Sequence, residues 1–193
     1  MSQDQSNLLN DLERILYSEE DLAAMNRRLG EEITRAYSES VKKRKLIMVG
    51  VLKGSFIFMA DLVRQIPLPM ETLFLRASSY GNGTESSGKV TISEGPDKSI
   101  FKEADVLFVE DILDSGRTLK KLQDYMLDAG AHSVKICTML DKPARRVVDI
   151  TVDFRGFELE NAFTVGYGLD YAEEYRNLPV IGVLKESIYT TQN

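Results

Sequence analysis

The chain has 193 residues, 43% of them hydrophobic, which suffices for one domain with a sizeable core, since a chain of roughly 150 residues or more buries about 70% of its unfolded surface. Its single cysteine, Cys137, excludes an intramolecular disulfide and a Cys-rich zinc site, and points to a reducing, cytoplasmic setting. Thirty acidic against 24 basic side chains give a net charge of -6; such a chain is repelled by nucleic-acid backbones and must bind any phosphate locally, through N–H groups, a few bases or a bridging cation.

The polar opening from Met1 to Asn7 lacks the basic and apolar regions of a secretion signal, and no membrane span is expected, because the longest apolar run, Leu46 to Leu52, is far shorter than the ~20 residues required. Leu8, Leu9, Leu12, Ile15 and Leu16 form one stripe at helical spacing and Leu22, Met25, Leu29, Ile33 and Ala36 another, predicting N-terminal helices over residues 8–38. Ser18 and Asp21 read as an N-cap with an acidic first turn. Leu46 to Leu52 is continuously apolar, the mark of a strand covered on both faces and hence of a parallel sheet. Phe56, Met59, Ala60 and Val63 predict a helix stopped by Pro67.

The alternation repeats with strands at Glu71 to Arg76, Ala104 to Val109 and Val134 to Leu140, and a helix at Thr118 to Asp128 closed by Gly130. The Gly- and Ser-rich stretch 77–99 reads as a long mobile loop around a short β segment at Val90 to Ile92. This pattern predicts an α/β fold, a doubly wound, mainly parallel sheet flanked by helices. One domain spans 1–193, with a core at about 40–145 and a small C-terminal hood lobe at about 147–190, where short β-like pieces look appended rather than part of another βαβ unit.

The segment Val109-Glu-Asp-Ile-Leu-Asp-Ser-Gly-Arg-Thr-Leu119 leaves a buried strand and enters a helix. In open α/β sheets ligands bind at the carboxyl ends of strands. Asp114, Ser115, Gly116, Arg117 and Thr118 offer a tight turn, close backbone approach, two hydroxyls and a helix N-terminus, a set suited to a phosphate. Glu110 and Asp111 can accept from sugar hydroxyls or help hold a divalent cation. The same acidic strand end is also compatible with a plain N-cap. Three carboxylates within five residues, however, demand a compensating cation, ligand hydroxyl or solvent.

Glu110-Asp-Ile-Leu-Asp-Ser-Gly-Arg-Thr118 closely resembles the phosphoribosyl-pyrophosphate (PRPP) binding signature of type I phosphoribosyltransferases. Val51-Leu-Lys-Gly54, Ser79-Tyr80, Asp141-Lys-Pro143, Asp153-Phe-Arg-Gly-Phe-Glu158, Phe163-Thr-Val-Gly-Tyr-Gly-Leu-Asp170 and Tyr175-Arg176 look like the hypoxanthine-guanine phosphoribosyltransferase family, over about residues 8–190. The resemblance implies purine salvage: hypoxanthine or guanine plus PRPP gives IMP or GMP and pyrophosphate, with Mg2+ assisting. It assigns the 5'-phosphate to Asp114 through Thr118, the ribose hydroxyls to Glu110 and Asp111, and pyrophosphate to Lys53, Gly54 and Arg176, with a non-proline cis peptide in the Lys53 turn.

By the same resemblance Asp114 manages the proton at purine N7, Lys142 donates to the 6-oxo oxygen, Phe163 stacks on the ring, and backbone at Thr164 and near Asp170 reads the remaining edge. Asp170 is implied as a Mg2+ ligand, with Glu110 and Asp111 as the further metal candidates. Ser79 and Tyr80 begin a closing lid in relatives, and Gly81, Gly83 and Gly88 can supply hinge freedom. Arg117 stands where relatives often carry Lys, and Ser78 where they often carry a basic residue, which leaves no side chain here for a subunit-bridging cation. A homodimer or homotetramer is implied, without nucleic-acid or membrane partners.

Outside these motifs, His132 reads as a surface or capping residue and Cys137 as a buried structural thiol. Two other classes compete. A PRPP-sensing regulator on the same fold would add a nucleic-acid-binding element, which this acidic chain does not display. A receiver-like signalling domain would gather carboxylates around Mg2+ but leaves the Ser-Gly-Arg-Thr turn and the long loop without a role.

Overall fold

A strand sandwiched between two helical layers needs apolar side chains on both faces, and the run at 46–52 provides them along nearly its whole length. The computed structural model describes residues 8–79, 90–92, 97–160 and 162–190. The chain begins with β1 (Leu12–Tyr17), α1 (Glu19–Tyr37), β2 (Leu46–Leu52), α2 (Phe56–Val63), β3 (Glu71–Ser79) and β4 (Val90–Ile92). It continues through β5 (Asp105–Leu113), α3 (Arg117–Asp128), β6 (Ser133–Asp141), β7 (Phe154–Glu158), β8 (Thr164–Val165), β9 (Ile181–Leu184) and α4 (Glu186–Tyr189).

The main sheet has the order β4-β3-β2-β5-β6-β7, parallel throughout except for the antiparallel β3–β4 pair at one edge. Its residues alternate between two cores. Met48, Leu107, Val109, Cys137 and Met139 pack with Leu22, Met25, Leu29 and Ile33 of α1 and Phe58, Met59 and Leu62 of α2. Ile47, Val49, Val51, Val106, Phe108 and Ile136 face the other way, onto Leu119, Leu122 and Met126 of α3. Period-2 alternation of strands apolar on both faces in their central stretches therefore yields helices on both faces.

Ser18 caps α1 as expected, its hydroxyl accepting from the Asp21 N–H while the Asp21 carboxylate accepts from the Ser18 N–H, a reciprocal capping box. Gly130 follows α3 with φ +88°.

Two expectations give way. Residues 12–17 are not helical: β1 pairs antiparallel with β9, and β9 with β8, forming a second, three-stranded sheet. The β1–β9 register shifts between Leu12 and Arg14 and again between Ile15 and Tyr17. Each irregularity displaces the strand's alternation, so apolar residues fall at helix-like spacings. Leu12 enters a third core with Val165, Tyr175, Leu178, Val180 and Leu184, while Ile15 is exposed. The second correction concerns the hood: β7, inside the span read as an appended lobe, pairs in parallel with β6 and belongs to the main sheet. It is reached without a crossover helix, through only a short helical turn at Pro143–Arg145, which is why no βαβ rhythm announced it.

Candidate active site

The carboxyl ends of β2, β5 and β6 lie side by side, and each delivers a predicted site segment. β2 runs into Lys53 and Gly54 through a cis peptide between Leu52 and Lys53. β5 carries Glu110 and Asp111 and runs into Asp114 to Thr118, and β6 ends at Asp141 before Lys142. The turn Gly166 to Asp170 closes over them and is anchored by Tyr167, whose hydroxyl donates to Asp61 Oδ2 at 2.6 Å and accepts from Asn26 Nδ2 at 2.9 Å.

Gly116 is the N-cap of α3 with φ +80°, a conformation that glycine adopts without strain. A Cβ there would also meet Ile150 at 2.8 Å and Val148 at 3.0 Å. Gly116 brings no capping side chain, so the start of α3 can offer N–H donors to an external acceptor. Ser115 lies beside them, its Oγ 3.5 Å from the Arg117 N–H.

Burial and repulsion from Asp111 push the Glu110 carboxyl well above the ordinary glutamate value, and its Oε2 is buried without a hydrogen-bond partner. Burial also raises Asp111, against the opposing pull of the Ile112 N–H, which donates to Oδ1 at 2.7 Å, and of Arg176. These carboxyls have been taken out of water without full compensation, so hydroxyl donors or a cation would stabilise them. Gly54 makes room for Asp111: a Cβ at 54 would lie 1.5 Å from Asp111 Oδ2.

Among the described residues no three His, Cys, Asp or Glu side chains group as they would to hold a metal ion. The expected trio Glu110, Asp111 and Asp170 is thus not an assembled cage. Asp170 instead sits 2.8 Å from Arg176 Nη2 and accepts the Glu173 N–H at 3.0 Å. Mg2+ suits such a donor set, because it retains waters and binds through one or two carboxylates plus substrate phosphates.

Lys142, Phe163, Thr164 and Asp170 all line one cavity of about 260 Å3, together with Asp111, Ile112, Ala162 and Leu169. That is below the ~300–1,000 Å3 of a drug-sized pocket and suits a single flat heterocycle. Lys142 Nζ donates to the Ala162 carbonyl at 3.1 Å. Burial lowers its pKa from the ordinary lysine value, Asp114 opposing and Arg145 reinforcing the shift. Phe163 is exposed and packs against Tyr171 at 5.8 Å and Tyr189 at 5.1 Å between ring centroids. The Phe163 carbonyl accepts from the Leu184 N–H at 3.0 Å, which fixes the second sheet against the cavity.

Sequence reasoning missed several partners. Arg145 Nε lies 2.8 Å from Asp114 Oδ1, and Arg146 bridges the Asp114 carbonyl, at 3.1 Å, and the buried Asp141 carboxylate. Arg155 reaches the other Asp141 oxygen at 2.9 Å. Glu173 receives Lys53 Nζ at 2.9 and 3.0 Å and Arg176 Nη2 at 3.3 Å, and these two cations hold its carboxyl below the usual range. The signal was the cluster of charged residues beside the motifs, Arg145 and Arg146 after Lys142 and Glu173 and Glu174 after Asp170, visible but directionless without coordinates. Ser79 ends β3, whereas Tyr80 and Gly81, Gly83 and Gly88 lie outside the described residues. No described helix is long and apolar enough to cross a membrane.

Residues 18–172 match the phosphoribosyl transferase domain family. A hypoxanthine-guanine phosphoribosyltransferase from Streptococcus agalactiae is 48% identical over 95% of this chain and 99% of its own length. The bifunctional protein TilS/HprT of Listeria monocytogenes is 50% identical over 94% of this chain and 27% of its own. The crystal structure of a hypoxanthine phosphoribosyltransferase from Staphylococcus aureus superposes with a TM-score of 0.89 at 42% identity, covering 95% of this chain and 97% of that one. With fold, domain match and relatives coinciding over most of its length, the chain belongs to the phosphoribosyltransferase family.

Proposed function

We propose that the residues gathered at this sheet edge carry out purine salvage: the chain is an enzyme that transfers the 5-phosphoribosyl group of PRPP to hypoxanthine or guanine, giving IMP or GMP and pyrophosphate. The observation that carries the assignment of roles is the 260 Å3 cavity, which joins Lys142, Phe163, Thr164 and Asp170 to the strand end bearing Asp111.

The chemical difficulty lies at the anomeric carbon, where departure of pyrophosphate leaves an oxocarbenium-like sugar that water would capture. The N–H groups and hydroxyls of Asp114 to Thr118 hold the 5'-phosphate, and Glu110 and Asp111 accept from the ribose hydroxyls, which relieves their uncompensated burial. Lys53, Gly54 and Arg176 receive pyrophosphate. Asp170, with Glu110 and Asp111 nearby, would hold Mg2+, which would supply neutralisation of the leaving group. Asp114, oriented by Arg145, exchanges the proton at purine N7.

Lys142 donates to the 6-oxo oxygen. Adenine presents an amino donor at that position, and two facing donors in a buried site disfavour it strongly. Phe163 stacks on the base, backed by Tyr171 and Tyr189. Ser79 and Tyr80 act as the lid, and the protein works in the cytoplasm as a homodimer or homotetramer, which sedimentation measures directly.

Incubating the purified protein with PRPP, Mg2+ and hypoxanthine, guanine, xanthine or adenine in competition tests this function. IMP and GMP with stoichiometric pyrophosphate are expected. Binding of PRPP with no pyrophosphate released would identify a sensor instead.

A further inference from the structure

We propose that Glu173 is an internal stand-in for pyrophosphate, a carboxylate that pairs with the two leaving-group cations when no diphosphate is bound and sets how tightly the diphosphate is held. This rests on the reading of Lys53 and Arg176 as pyrophosphate contacts. The two come from separate elements, the end of β2 and the segment after Asp170, and one carboxylate joins them: Lys53 Nζ meets both Glu173 oxygens at 2.9 and 3.0 Å, and Arg176 Nη2 meets Oε2 at 3.3 Å. Carboxylate and phosphate oxygens are interchangeable acceptors for such donors.

The backbone holds Glu173 there. Ala172, Glu173 and Tyr175 have φ of +51°, +69° and +72°, a left-handed region that side-chain-bearing residues disfavour. The turn is fixed by the Glu173 N–H to Asp170 Oδ2 at 3.0 Å, by backbone bonds between Tyr171 and Glu174 at 2.9 and 3.3 Å, and by the Tyr175 hydroxyl on Asp11 at 2.9 Å. Both Lys53 and Glu173 are substantially exposed, so their pair is weak and easily displaced. Pyrophosphate entering between Lys53 and Arg176 takes over contacts that Glu173 already makes, and on release Glu173 takes them back. The carboxylate thus weakens binding and favours departure of the product.

Calorimetric titration of magnesium pyrophosphate into the full-length protein tests this. Glu173→Gln keeps the shape and removes the charge; its pyrophosphate affinity should rise about two- to fivefold, and KM for PRPP should fall in parallel without a rise in kcat. Glu174→Gln, a neighbouring carboxylate removed from the same exposed turn, should bind as wild type does. In a Lys53→Ala background the gain from Glu173→Gln should shrink. Unchanged or weaker binding by Glu173→Gln, an equal gain from Glu174→Gln, or an undiminished gain beside Lys53→Ala would each overturn the proposal. Lys53→Ala binding pyrophosphate as tightly as wild type would instead remove the underlying Lys53 assignment, and the stand-in with it.

Discussion

Replacing Gly54 with alanine adds one methyl group at the point where the β2 turn meets the acidic strand end. The new Cβ would lie 1.5 Å from Asp111 Oδ2 and 2.6 Å from Asp111 Cγ, where ordinary contact is 3.4–4 Å. The carboxylate must therefore retreat by about 2 Å or the turn must lift away, and overpacking of this kind costs about 1–3 kcal/mol. For a chain of this size that is a loss of roughly 2–12 °C in Tm. The effect on turnover should be larger than on stability, because displacement of a positioned group by about 1 Å costs on the order of 100-fold. Thermal melts and steady-state IMP formation on the same preparation measure both. A Gly54→Ala protein that keeps kcat/KM within about threefold of wild type would refute the argument that Asp111 is held in place by its contact with this turn.

Further outcomes follow from the same geometry. Lys142→Met should lower kcat/KM for hypoxanthine by about 10- to 150-fold, the worth of a charged hydrogen bond. In the wild type, activity should fall as pH rises through a value below the ordinary lysine pKa, since burial favours loss of the Lys142 proton; a pH–rate profile unchanged in Lys142→Met would contradict this. Asp105, buried beneath the opposite sheet edge, accepts from Ser133, Ser40 and His132. Burial raises its pKa, but these partners outweigh it and hold the carboxyl below the usual aspartate value. The unfolded chain consequently binds more protons in that window. The contribution is fully present above about pH 4 and is lost as pH falls through the folded value. Asp105→Ala should cost about 2–3 kcal/mol near neutrality by urea melts and flatten the acid limb of stability. Removing divalent cations with EDTA should weaken pyrophosphate binding far more than IMP binding, as two calorimetric titrations would register.

Much of this architecture could be read from residues alone where two signals coincided. The strands from Leu46, Ala104 and Val134 combine largely apolar runs with turn residues at their ends, and all three sit in the sheet. The turn at 114–118 was legible as a helix entry because its signals are local: glycine, hydroxyls and the start of α3 are contiguous there. β1 was misread because a strand with register shifts loses its period, leaving Leu12, Ile15 and Leu16 at helical spacing. β7 escaped because five residues interrupted by Gly156 make too short a pattern to separate from a loop. Arg145, Arg146 and Glu173 were invisible as partners for a different reason. A charged side chain in a surface turn has many solvated conformations, and only the tertiary position of Asp114, Asp141 or Lys53 selects one.

On the proposed assignment of the site, the distribution of charge explains how an acidic chain can accommodate a polyanionic substrate. At the 5'-phosphate end the donors are backbone N–H groups and hydroxyls of the α3 start, which attract an anion without adding net charge. At the sugar, Glu110 and Asp111, whose burial disfavours their charged forms, offer acceptor oxygens that hydroxyl donors can satisfy. At the pyrophosphate end the two cations, Lys53 and Arg176, are balanced by two carboxylates, Glu173 and Asp170. That end is nearly neutral by itself, so the protein's own charges do not grip a diphosphate strongly there. On that reading pyrophosphate must compete with carboxylates already paired to Lys53 and Arg176, which favours its departure. The same balance leaves exposed Lys53 paired with Glu173 and the more buried Arg176 paired with Asp170 and Glu173, so that neither cation stands uncompensated.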